Sequence, residues 1–83
     1  MIRKQIDLID DMLVLLLSER QELVHEIGQW KKIHHQPIAD PKREKDILKK
    51  RLALLQEANL DHQFIRDIYR IIFQESRTIQ RRA

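Results

Sequence analysis

The chain has 83 residues, no cysteine, and 16 basic against 13 acidic side chains, for a net charge of +3. That length makes one domain with a modest core, excludes a disulfide framework and a thiolate metal site, and leaves a mild pull toward anionic partners. No run of about 18 apolar residues offers a membrane span, and no basic-then-apolar leader precedes a small-residue cleavage site, so a soluble, cytoplasmic protein is expected.

One glycine and two prolines leave few helix breakers, which predicts an all-α chain of three helices. The first is expected from about Ile2 to Lys32. Its apolar residues Ile2, Ile6, Ile9, Leu13, Leu16, Leu23, Ile27 and Trp30 step by four and three, the spacing of a helix-packing seam. One step of that series falls on Arg20, a guanidinium in a stripe built to be dry. At 1.5 Å per residue this helix is about 46 Å long, more than the rest of the chain can cover. Pairing with a second copy, as an intertwined homodimer, is therefore expected. Pro37 breaks the pattern, and Asp40-Pro41 starts a second helix, Asp as N-cap and Pro at the first position. This helix carries Ile47, Leu48, Leu52, Leu54 and Leu55 and is expected to end around Glu57 to Asn59. Asp61 caps a third helix that turns Phe64, Ile65, Ile68, Tyr69, Ile72 and Phe73 inward and runs on through Ser76 and Gln80.

Polar residues interrupt these apolar stripes. Lys31 follows Arg20 after about 1,100° of rotation, on nearly the same helix face and about 16 Å further along the axis, so two long side chains leaning together can span one small ligand. Gly28, one turn before Lys31, clears bulk from that face. On the third helix, Ser76 and Gln80 stand where more Leu or Ile would extend the stripe, and "DPKRE" places Asp40, Arg43 and Glu44 at a helix start rich in free N–H groups. Each has a plain alternative: a seam arginine as register device, a solvated lysine, a fraying helix end, an ordinary charged first turn. Their convergence favours a site, because a buried cation without a partner costs several kcal/mol and few carboxylates share those faces. An anionic ligand would supply the missing charge. Arg3 lies about 42 Å from Lys31 along the same helix and cannot reach a ligand held there; in an antiparallel dimer it would complete the partner chain's site.

Arg3 in "IRKQID", Arg20 in "LLSERQEL", Gly28 and Lys31 in "EIGQWK", then "PIADPKRE" and "ESRTIQ", form an ordered set spanning essentially the whole chain. In this set the chain resembles the all-helical chorismate mutases. The resemblance implies an intertwined homodimer of three-helix chains, no cofactor and no metal, isomerising chorismate to prephenate on the route to phenylalanine and tyrosine. It implies that Arg20 and the other chain's Arg3 grip two carboxylates, and that Lys31 and Gln80 donate to the ether oxygen. Ser76 would bond a carboxylate, Glu44 and the Asp40 backbone would hold the ring hydroxyl, and Arg43 would support Glu44 and the positive field. His25, His34, His35 and His62 lack ligand spacing and read as surface or loop residues. Two rivals stand beside this reading. One is a lyase of the same fold that removes pyruvate from isochorismate, against which "RE" at 43 and 44 with Ser76 favours the mutase. The other is a helical dimer binding nucleic acid through Arg77, Arg81 and Arg82, a tail that is short and lacks interleaved aromatics.

Overall fold

The structure, a computed structural model, describes residues 1–55 and 57–83. Three helices follow in chain order: α1 (Ile2–Ile33), α2 (Pro41–Leu54) and α3 (His62–Arg82). The described residues contain no strand. α3 packs against both α1 and α2 and is the element that ties the chain together.

Side-chain chemistry sets the helix ends. Asp40 accepts a hydrogen bond from the Arg43 N–H at 3.1 Å, with Pro41 at the first helical position, and Asp61 accepts from the Phe64 N–H at 3.3 Å. α1 closes with the Gln36 N–H donating to the Lys31 carbonyl at 2.8 Å across a residue, His35, at φ 54°. This six-to-one bond over a left-handed residue is a Schellman closure, a place that favours glycine. It folds residues 36–40 back toward the end of α1. His35→Gly is expected to stabilise the chain by about 0.5–1 kcal/mol, because a side chain in the left-handed region costs about 1–2 kcal/mol and glycine's extra unfolded-state freedom offsets part of that. Urea unfolding of the two proteins measures it.

α2 is shorter than its sequence suggests. It stops at Leu54, ahead of the expected Glu57 to Asn59. Leu55 and Ala58 donate to carbonyls only three residues back, and Leu60 to one only two back, which tightens the chain into a turn that delivers Asp61 as a cap. Leu54 is 67% exposed, so nothing is left there to bury and propensity alone does not extend a helix. Phe64 also differs from expectation: it is exposed. It lies nine residues before Phe73, about 900° round the helix, and so on the opposite side of α3.

α1 has two working faces. Val24 and Gly28 are buried, and Arg20 and Lys31 reach α3, so the face carrying these four is the one covered within the chain. Arg20 lies about 20° round α1 from Ile27, where the apolar stripe meets this covered face, and its guanidinium turns to Ser76. Of the stripe's apolar residues, Ile2, Ile6, Ile9, Leu13, Leu16, Leu23 and Trp30 stay at least half exposed, while Ile27, 45% exposed, turns partly toward the interior. Val24 and Phe73 are the only hydrophobic side chains buried among the described residues. The radius of gyration is 15.1 Å, against about 12 Å for a compact domain of this length. The accessible surface is 7331 Å², against about 5,300 Å² for a compact monomer of this mass. Among the described residues, no helix is long and apolar enough to cross a membrane.

Candidate active site

Arg20, Lys31, Asp40, Arg43, Glu44, Ser76 and Gln80, expected from sequence to form one site, all line a single cavity among the three helices. The cavity opens to solvent, and its empty volume of about 520 Å³ includes that open part. Val24, Ile27, Ile38, Ile47 and Phe73 supply apolar wall, so three cationic groups face a space from which water is partly excluded. Arg3 is not among the lining residues; it sits exposed in the first turn of α1.

Two contacts across the α1–α3 packing organise the polar groups. Lys31 Nζ donates to Gln80 Oε1 at 2.7 Å and to the Ile38 carbonyl at 3.0 Å. An ammonium cannot accept, so the Gln80 amide must turn its oxygen to Lys31, which leaves its NH₂ as a donor. The third Lys31 proton also remains for a ligand. The Schellman closure of α1 is what folds Ile38 back to take the second bond, so loop and lysine fix each other. Higher up, Arg20 Nη1 donates to Ser76 Oγ at 2.6 Å, and Ser76 Oγ donates to the Ile72 carbonyl at 2.8 Å. Ser76 is buried, and its one proton is spent within its own helix. Its hydroxyl therefore steadies the Arg20 fork here; bonding a carboxylate directly would require that proton to rotate away from Ile72.

Gly28 makes this geometry possible. A Cβ placed there would lie 2.8 Å from the Gln80 Cα and 2.9 Å from the Ala83 Cβ. The first of these is backbone and cannot swing aside. Gly28→Ala is expected to push the end of α3 outward, taking Gln80 from Lys31. The overpacking should cost about 1–3 kcal/mol of stability. A lowered unfolding midpoint and a loss of activity should appear together.

At the mouth of the cavity, Asp40 caps α2 while Arg43 is exposed, its N–H on the Asp40 carboxylate. Arg43 was expected to support Glu44, but the cation on Glu44 is Arg77, whose Nη1 lies 2.7 and 2.8 Å from the two carboxylate oxygens. Sequence reasoning placed Arg77 in a basic tail. The signal for it was there: Arg77 follows Phe73 by four residues and precedes Gln80 by three, on the inward side of α3. The histidines are exposed, with Trp30 packed on His34 at 4.4 Å between ring centroids. Among the described residues no cluster of His, Cys, Asp or Glu has the makings of a metal site.

Residues 2–81 match the family model described as chorismate mutase type II. The chain is 35% identical over 75 residues to a bifunctional chorismate mutase/prephenate dehydratase of Escherichia coli, covering 90% of this chain and 19% of that protein. A bifunctional protein of the same description from Buchnera aphidicola is 38% identical over 80 residues, 96% of this chain and 21% of its own length. A chorismate mutase of Methanocaldococcus jannaschii is 34% identical over 80 residues, 96% of this chain and 81% of its own. The chain thus spans about a fifth of the bifunctional relatives and most of the archaeal one. With a match over nearly its whole length, the chain belongs to the chorismate mutase type II family.

Proposed function

We propose that this protein is a chorismate mutase, converting chorismate to prephenate by a concerted rearrangement in which a carbon–oxygen bond breaks as a carbon–carbon bond forms. The step needs no nucleophile, cofactor or proton shuttle. It needs the dianion held in a folded conformer and charge stabilised on the breaking ether oxygen. The observation that carries the reading is the pairing of Lys31 with Gln80 inside a cationic cavity. It leaves one ammonium proton and one amide NH₂ as preorganised donors. In this reading they meet the ether oxygen, Arg20 takes a carboxylate through its fork, and Ser76 orients Arg20. Glu44 and the Asp40 backbone hold the ring hydroxyl, and Arg43 adds to the positive field.

The second carboxylate falls to Arg3 of another copy. The exposed stripe on α1 and the roughly 2,000 Å² of surface beyond that of a compact monomer support an intertwined homodimer, since obligate interfaces bury about that much or more. Arg3 is about 42 Å from Lys31 within one chain, so only an antiparallel partner brings it to the site. The same reading carries a cytoplasmic setting, with neither nucleic acid nor membrane as partner; the involvement of Arg77 with Glu44 weakens the basic-tail alternative.

The test is loss of chorismate absorbance on adding purified protein, with products identified from chorismate and isochorismate in parallel. Prephenate from chorismate is the expected result. Pyruvate from isochorismate with chorismate untouched would transfer the site to the lyase reading.

A further inference from the structure

We infer that Arg77 is a positioning residue for substrate binding, acting through Glu44; this rests on the mutase reading. Arg77 does not line the substrate cavity. It lies in a neighbouring groove with Pro41, Leu48 and Phe73, and Glu44 is shared by both spaces. The guanidinium therefore reaches Glu44 from behind the cavity wall, joining the first turn of α2 to the later part of α3. Its two bonds, 2.7 and 2.8 Å, come from one nitrogen set between the carboxylate oxygens. Both side chains are about three-quarters covered (27% and 26% exposed), unlike the open Arg70–Asp67 pair earlier on α3.

Two consequences follow from that placement. A lone carboxylate beside a doubly negative substrate repels it, and the cation behind Glu44 cancels that field at close range. The pair also fixes the carboxylate's rotation while leaving each oxygen further lone pairs, so one can accept a hydroxyl proton from the ligand. A contact to a hydroxyl that takes no part in bond making is equally present in ground and transition state. Losing its orientation therefore raises KM and spares kcat.

Arg77→Met keeps the aliphatic stem and removes the charge. It is expected to raise KM for chorismate about tenfold with kcat within about threefold of the parent. In a Glu44→Gln background the same change should cost less than about twofold, since the group it acts through is already altered. Arg77→Lys should restore most of the loss, because only one nitrogen is engaged and the fork is not used. Circular dichroism checks each fold, and where Arg77→Met unfolds, Arg77→Lys and Arg77→Gln in both backgrounds replace it. An unchanged KM, or the same loss with and without Glu44→Gln, overturns the inference while leaving the mutase reading intact. A parent protein that does not turn over chorismate overturns both.

Discussion

Lys31→Ala is expected to lower kcat roughly a hundred- to thousandfold, the loss typical of removing one preorganised donor to a developing oxyanion. The loss should exceed that of an ordinary surface lysine because Lys31 is held from two sides, by the Ile38 carbonyl and the Gln80 amide, before substrate arrives. No reorganisation is then needed at the moment charge develops. Gln80→Ala should fall by a similar factor, and the double variant by much less than the product, since each residue orients the other. Steady-state kinetics on the four proteins decide this; near-normal turnover in either single variant removes that residue from the ether oxygen. An amide carries no titratable proton, so Gln80 donates at any working pH. Activity should be flat across neutral pH, and a steep fall between about pH 6 and 8 would point to another donor.

The second large effect belongs to Arg20. Arg20→Ala should reduce kcat/KM by roughly a hundredfold or more, as expected when one side of a partly buried charge pair with a ligand carboxylate is truncated. Arg20→Lys should recover little, because a point charge cannot both accept its place on the Ser76 hydroxyl and offer two parallel bonds to a carboxylate. Ser76→Ala is the graded control. It leaves the guanidinium in the cavity but frees its orientation, and should cost about tenfold, near 1.4 kcal/mol. Equal losses for Ser76→Ala and Arg20→Ala would mean that Ser76 binds substrate itself.

The three helices were legible from long stretches free of breakers, and the starts of α2 and α3 from local chemistry, Asp40 with Pro41 and Asp61. The end of α2 was not, because Leu54 and Leu55 continue the apolar pattern and only the missing surface opposite them stops the helix. Which part of α1 lies under α3 was not legible for a related reason. Aliphatic residues cover so much of the helix that two faces are apolar, and periodicity alone cannot say which one α3 takes. Val24 and Gly28 mark the covered face, and Arg20 looks along it. At the site, Arg20, Lys31, Ser76 and Gln80 could be read as polar breaks in apolar stripes. Arg77 shares the inward side of α3, but Arg81 and Arg82 nearby make it look like part of a solvated end, and its partner is 33 residues away.

The central claim is that each pocket is completed by Arg3 from a second chain, and mixing two crippled variants tests it most directly. Arg3→Ala and Lys31→Ala, each nearly inactive alone, are unfolded together and refolded at equal concentration. In random heterodimers one of the two pockets holds both lesions and the other none, so about a quarter of parental activity should return. Activity no higher than the average of the separate variants would mean that the pocket belongs to one chain, and the account would fail there.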